Sequence, residues 1–366
     1  METEIRLVKE INSVFEAATL IFDEKNGNSC RELKEAIRRK YEIDSAVLDS
    51  CFDSIIELSE HVISGVDAES DPELIDFLFR KHSSMNGCFA FYIIHDICRR
   101  TGTDGELILA LREAPKTVFF VNFYEMLRDE FTGTEITSPV TSYPELFAFI
   151  ERLPLPEDEK FQLCRLYNGY EYYREKLADI LGLAGRLYRA KFDIIRHYVS
   201  WFIAAVNEEL GKRGAEFIAE KYRIRADSDV SVLCVAPSVS MCNGIKHLLS
   251  YTTQDSIEYL YVGALFEPLS EITDVTTADE RVCKALRLLG DSRRYEILKL
   301  LADGPKYGQQ IASMLDITTA TVSHHMAQLL EAGFVEIRRE SNRIYYTPGR
   351  RKLRDFLDEL SAALLG

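Results

Sequence analysis

The chain holds no apolar run near the roughly 18 residues that a membrane helix requires; the stretch from Trp201 to Val206 soon meets Asn207, Glu208 and Glu209. The opening METEIRLVKE lacks the basic region, apolar stretch and small-residue cleavage site of a secretory signal, so a cytoplasmic location is expected. Eight cysteines lie scattered at 30, 51, 88, 98, 164, 234, 242 and 283, with no CxxC pair and no zinc-knuckle spacing. Buried, reduced thiols are the simplest reading of them. There is no phosphate-cradling glycine loop, no G-x-S-x-G elbow and no metal triad, and neither an internal repeat nor a low-complexity tract. These absences leave no catalytic constellation, no cofactor site and no metal site, and an enzyme is not expected.

What is present is an uneven distribution of charge. The 366 residues carry a net charge of −15, which at first sight argues against nucleic acid. Yet residues 278–366 hold 14 Lys and Arg against 12 Asp and Glu, so +2 lies there and −17 in residues 1–277; between 281 and 354 the balance is +7. At this length two or three domains are expected. The acidity belongs to the first.

Residues 1–270 read as an acidic, mostly helical domain with a small sheet, because apolar positions recur at three and four over long stretches. The stripe from Leu187 through Ile194, Ile195, Tyr198, Phe202 and Val206 predicts one long helix. Pro154, Pro156 and the acids 157–159 predict a loop that opens the next helix, with a sub-boundary near 155. Val230 to Ala236 and Ile257 to Phe266, with Glu4 to Val8, predict the sheet. Two aromatic groups, one at Phe161, Tyr167, Tyr170, Tyr172 and Tyr173, the other at Tyr188, Phe192, Tyr198 and Trp201, suit core packing better than a ligand pocket. After Glu267, EPLSEITDVTTADE has no helical periodicity and reads as a linker. Thr277 and Glu280 then form a capping box that starts a second domain over 277–366. The fold class expected is mainly α with small β elements.

Within that second domain, Ala278 to about Leu289 predicts a helix with Val282, Leu286 and Leu289 on one face, ended by Gly290. Asp291 caps a second, carrying Tyr295, Leu298 and Leu301, and a turn at Gly304 and Pro305 leads to a third from about Gly308, which buries Ile311 and Leu315. Thr318 caps a fourth. Its Val322, Met326 and Leu329 face the core, whereas Thr319, Ala320, Ser323, His324 and Ala327 share the opposite side. That outer face is small, uncharged and able to hydrogen-bond, which suits entry into a major groove about 12 Å wide. Adjacent on a helix, His324 and His325 point about 100° apart and do not share a metal, and His325 reads as a hydrogen-bonded packing residue. Leu330 stands on a more exposed side.

Phe334 to Arg339 and Arg343 to Thr347 predict a hairpin whose tip holds Arg338, Arg339, Asn342 and Arg343, groups that match phosphate oxygens. Lys306 and Gln309, near the start of the third helix, join that phosphate-holding set. Thr347 and Pro348 then open a last helix striped by Leu353, Phe356, Leu357, Leu360 and Leu364. The stripe packs either on a second subunit or on the first domain.

The segment LGDSRRYEILKLLADG…YGQQIASMLDITTATVSHHMAQLLEAGFVEIRRESNRIYY, about residues 280–348, resembles the ArsR (SmtB/ArsR-type) family of winged-helix repressors. The resemblance implies a homodimer joined through the first and last helices, here Val282, Leu286, Leu289, Leu353, Phe356, Leu357 and Leu360. It implies too a palindromic double-stranded operator that is released when an effector binds, base contacts from Thr319, Ser323 and His324, and a wing contact from Arg343. Metal-sensing members carry Cys-x-Cys in the third helix, where this chain has Tyr307 and Gln309, and the last helix has no histidine. Regulation through a metal at those places is not expected. A domain of 270 residues is unnecessary for binding DNA alone, so it is read as a sensor of a non-metal small molecule or partner; a structural or oligomerising role, with a winged helix that binds protein instead of DNA, is the alternative.

Overall fold

The computed structural model describes residues 3–365 apart from 42, 83–86, 132–141, 223, 225–229, 252–255, 274–277 and 341–342. It divides by contacts into two units, one of Glu4–Lys212 with Ser231–Ile272, the other of Met1–Thr3, Arg213–Val230 and Thr273–Gly366. In chain order, β1 (Glu4–Leu7) precedes α1 (Ser13–Lys25), α2 (Cys30–Lys40), α3 (Ser45–Glu69), α4 (Pro72–Phe79), α5 (Phe89–Ile94), α6 (Asp104–Glu113), α7 (Lys116–Glu130), α8 (Tyr143–Arg152), α9 (Glu157–Asn168), α10 (Tyr170–Ala190), α11 (Arg196–Arg213) and α12 (Ala215–Lys221). Then come β2 (Val232–Ser238), β3 (Ile245–Leu248), β4 (Ile257–Gly263) and α13 (Phe266–Thr273). The chain ends with α14 (Ala278–Leu289), α15 (Ser292–Ala302), β5 (Lys306–Tyr307), α16 (Gly308–Leu315), α17 (Thr319–Glu331), β6 (Val335–Glu340), β7 (Arg343–Pro348) and α18 (Arg350–Leu365). The fold is mainly helical with small sheets, as the periodicity predicts.

In the larger unit the four strands run in the order β1-β2-β4-β3, with β1, β2 and β4 mutually parallel and β3 antiparallel to β4. Three of these strands fall on the stretches expected; β3, IKHL, was not anticipated, because four residues that mix apolar and basic types give no alternation to read. Every residue of α1 from Ser13 to Ile21 is buried, so the helix is enclosed on all sides. Asn12 caps it, accepting from Phe15 N and donating to Ile97 O and Arg100 O. Phe15 stacks on Tyr261 of β4 at 3.8 Å between ring centroids.

Glu16, on the same enclosed helix, ties three elements together. Its Oε2 accepts from Tyr188 Oη of α10 (2.8 Å), from the backbone N of Val239 (3.1 Å) and Ser240 (2.9 Å), and from Ser240 Oγ (2.8 Å). Burial pushes this carboxyl above its ordinary range, against the pull of those hydrogen bonds. The loop after β2 is thereby held, and Gly263 is required beside it: a Cβ there would stand 2.0 Å from Cys242 O.

Several expectations are corrected. The stripe from Leu187 to Val206 is not one helix, since α10 stops at Ala190, a 3-10 turn spans Phe192–Ile194 and α11 starts at Arg196. The turn re-aims the chain so that Ile195 and Tyr198 still reach the core, Tyr198 Oη donating to Ser50 O and Cys51 O. The segment after Glu267 opens in helix α13, where Pro268 sits in the first turn and forfeits no intrahelical bond. Tyr170, Tyr173, Tyr188 and Tyr198 are core, but Phe161, Tyr172 and Trp201 are exposed. Five cysteines are buried, whereas Cys51 and Cys164 are half-buried and Cys283 is exposed.

The Glu16 network yields a stability prediction. Glu16→Ala strips one acceptor from four buried donors and should lower the urea-unfolding free energy of this unit by about 3–5 kcal/mol, at roughly 1–3 kcal/mol per deprived group with partial relaxation. Glu16→Gln keeps an oxygen for the donors and should lose much less. Equal losses would show that the acceptor is not what holds the loop.

Candidate nucleic-acid interface

The C-terminal helices form where capping and breakers place them. Asp291 accepts from Arg294 N at 3.0 Å, and Thr318 accepts from Thr321 N at 3.1 Å. Asp316 adopts the left-handed conformation (φ 52°) between α16 and α17, which lets Ile317 N return to Ala312 O. Gly333, at φ 71°, ends α17, and Phe334 N donates back to Leu329 O at 2.9 Å. Thr277 and the Glu280 side chain, the expected capping box, lie outside the described residues.

Helix α17 is two-faced. Val322, Met326 and Leu329 are at most 1% exposed and belong to a core with Ile297, Leu301, Ile311, Phe334 and Val335. Thr319, Ser323, His324 and Ala327 are exposed on the other side; the side chain of Ala320 is not among those described. His324 Nε2 lies 3.4 Å from Gln328 Nε2, and no metal-capable group of three His, Cys, Asp or Glu occurs among the described residues. His325 is half-buried, but its Nδ1 finds no hydrogen-bond partner, so the expected packing role holds without the expected bond. Leu330 is half-buried against the same core.

Arg294 was not singled out by sequence, yet it sets the placement of α17. Only 14% of its side chain is exposed; Nε donates to Leu288 O (2.6 Å) and Nη1 donates to Gln328 Oε1. One guanidinium thus links the end of α14 and the middle of α17 from its seat in α15. No sequence signal separates this arginine from its neighbour Arg293. Tyr295, expected in the buried stripe of α15, is 58% exposed, and Ile297 takes the core position instead.

The wing is a three-stranded sheet, β5-β7-β6, with Lys306 opposite Tyr346, Arg338 opposite Tyr345, Arg339 opposite Ile344 and Glu340 opposite Arg343. Strand β5 is too short to leave a pattern and was not expected. Lys306 is half-buried and Gln309 exposed near the start of α16. Asn342, and the side chains of Arg338, Arg339 and Arg343, lie outside the described residues. Thr347 and Pro348 belong to β7 and do not open the last helix; Gly349 intervenes because a Cβ there would stand 2.0 Å from Gly333 O. This contact seats the base of the wing on the end of α17.

Helices α14 and α18 pack together, and Val282 and Phe356 are spent in the domain's own core. Leu289, Leu353 and Leu360 are partly buried, whereas Leu286 (45%), Leu357 (59%) and Leu364 (74%) remain exposed. From α12 of the same unit, Glu220 accepts from Arg351 of α18 at 2.8 Å.

A family model described as bacterial regulatory protein, arsR family, matches residues 291–336, from the cap of α15 into β6. Over 76 residues the chain is 32% identical to the arsenical resistance operon repressor of Staphylococcus aureus, covering 21% of this chain and 73% of that protein. The chain belongs to the arsR family. Its winged helix is a DNA-binding regulator domain of that family. The HTH-type transcriptional regulator Rv0324 of Mycobacterium tuberculosis is 36% identical over 67 residues, 18% of this chain, which therefore spans only 30% of that relative. Among solved structures, a homodimeric winged helix-turn-helix DNA-binding domain from Mycobacterium bovis is 32% identical, covering 23% of this chain and 79% of that one, with a TM-score of 0.20. No helix among the described residues of the arsR-family chain is long and apolar enough to cross a membrane.

The Thr318 cap gives the most direct local test of how α17 of the arsR-family domain is held. Thr318→Ala should cost about 1 kcal/mol in the urea unfolding of the C-terminal unit. A change below about 0.3 kcal/mol would mean that packing alone holds the start of α17.

Proposed function

We propose that the chain is a homodimeric, sequence-specific repressor of transcription, divided functionally into a sensing domain over 1–270 and a DNA-binding domain over 277–366. The observation that carries this reading is the exposed face of α17: Thr319, Ser323, His324 and Ala327 lie outward on a helix whose opposite face is fully buried. An ordinary solvated face would carry Lys and Glu, whereas a helix entering the major groove needs short groups that reach base edges. Thr319, Ala320, Ser323 and His324 form the base-reading set, each good contact being worth about 1–3 kcal/mol.

Lys306, Gln309, Arg338, Arg339, Asn342 and Arg343 form the phosphate-holding set. Val282 and Phe356 are already spent within one chain, so the dimer seam rests on the exposed Leu286 and Leu357, with Leu289, Leu353 and Leu360 at its edge. Two copies of α17 in successive major grooves lie about 34–36 Å apart, which calls for an inverted repeat spaced near one helical turn. The arsenic-resistance relative is named a repressor, and that sign of regulation is carried over here as part of the proposal. The first domain is proposed to respond to a non-metal effector or partner and to alter the spacing of the two recognition helices.

Selection of duplexes from a random pool at near-physiological salt should enrich an inverted repeat with wild-type protein and lose or alter it with Ser323→Ala/His324→Ala. No enrichment would replace this reading with that of a protein-interaction module. On the selected duplex, Arg343→Ala should weaken binding to all sequences alike and reduce the slope of log K against log salt by about 0.9, one phosphate's worth. An unchanged slope removes Arg343 from the contacts.

A further inference from the structure

The larger unit contains a cavity of about 430 Å³ between α1, α2, α5 and the loop that leads from β2 into β3. It opens where β2 ends, on the side to which carboxyl ends of parallel strands commonly deliver ligand contacts. Its walls are mostly apolar. Phe22 meets Phe91 edge to face at 5.6 Å, Phe15 adds a third ring 6.3 Å from Phe91, and Met241 faces them from the loop.

Two polar groups on one face of α1 interrupt this lining, four residues apart and therefore one turn from each other. Thr19 is only 6% exposed, and its Oγ1 has no hydrogen-bond partner. A buried hydroxyl with nothing to bond costs free energy unless a ligand or water completes it. Asp23 has no ion-pair partner among the described residues, and burial pushes its carboxyl up to about 7. Glu32, the other acid in the lining, is occupied in capping α2, accepting from Ser29 N at 2.8 Å. Lys246 is placed over the Phe91 ring, 5.6 Å from its centroid, and no ion pair joins it to Asp23.

We infer that this cavity binds a small primary amine with an aromatic body, its ammonium donating to the Asp23 carboxylate and the Thr19 hydroxyl while the rings of Phe15, Phe22 and Phe91 enclose the rest. An ammonium has three donors and no acceptor, so it satisfies two acceptors one helical turn apart. The rings supply apolar contact and attract the cation. In the empty protein the folded state keeps the Asp23 proton that an unfolded chain releases near 3.8, so stability falls as pH rises from there through about 7. Amine binding reverses that preference, because it draws the carboxylate form.

The inference names the effector class for the sensing role proposed above, and rests on that reading for its regulatory consequence only. The full chain is titrated calorimetrically with 2-phenylethylamine, L-phenylalanine and the amine-free 3-phenylpropionate. Saturable binding of an amine is expected, tightening about tenfold between pH 6 and 8 as Asp23 ionises. Asp23→Asn should weaken it at least tenfold, Thr19→Val should weaken it less, and Ala36→Trp, at the mouth, should block it. If Asp23→Asn does not fold, the other two variants carry the test. L-phenylalanine binding tighter than 2-phenylethylamine would bring Lys246 into the site as the partner of its carboxylate, and still support the inference. No saturable amine binding, tighter binding of 3-phenylpropionate, or an affinity indifferent to pH and to these variants overturns it. The same ligands are then added to the protein on its selected duplex: amine binding that leaves duplex affinity unchanged keeps the site and removes the sensing role, whereas failure to bind removes the site and leaves the sensing role to another effector.

Discussion

Helix α17 leaves one side exposed and so has to be held rigid from the other, and the C-terminal unit is organised around that constraint. One side of α17 is exposed, so the other carries its anchoring: Val322, Met326 and Leu329 are sealed, and Gln328 is held by Arg294 from α15. The ends are fixed separately, by the Thr318 cap and by the return of Phe334 N to Leu329 O. The close approach of Gly349 to Gly333 then transmits the position of that end to the wing. Gly349 leaves no room for a Cβ and Gly333 holds a positive φ, so the two glycines couple the end of the helix to the base of the hairpin.

How much of this was legible depends on how local the signal is. Capping residues and breakers act over four or five positions, so Asp291, Thr318 and Gly333 place α15 and α17 in the sequence almost residue by residue. Periodicity did the same for the two faces of α17. What escaped reading depends on distant partners. Strand β5 exists because Lys306 and Tyr307 lie against β7, and two residues carry no period. Arg294 matters through Leu288 and Gln328, one of them 34 positions away. Tyr295 and Ile297 compete for the core on a helix where either spacing is admissible, and only the packing against α16 and α17 decides it.

The first unit shows the complementary limit. Its helical character follows from apolar spacing, but α1 is enclosed on every side and its buried run includes Glu16 and Thr19, two residues that a hydrophobic stripe would exclude. The two behave differently. Glu16 is answered by four donors drawn from Tyr188 and the 239–240 loop, whose sequence positions are more than 170 residues away, and becomes part of the scaffold. Thr19 Oγ1, three positions on along the same helix, finds no partner among the described residues, and neither does the other Glu16 oxygen, Oε1. Polar groups in an enclosed helix escape a stripe-based reading because their partners, where they have them, come from distant parts of the chain.

Charge placement bears on how the two halves work together. With −17 on residues 1–277 and +7 between 281 and 354, attraction to phosphate is confined to one short stretch of the chain. Screening reduces the repulsion from the acidic half beyond about 8 Å at physiological salt, but does not reverse it. Non-specific affinity, which is almost wholly electrostatic, is therefore held down by the chain's own composition. On the proposed function, specific binding is then left to depend on direct contacts from Ser323, His324 and the wing, and on two copies acting at once. A dimer of the proposed kind would need only a small change in the spacing of its two copies of α17 to leave its site, because little general attraction remains to keep it on DNA.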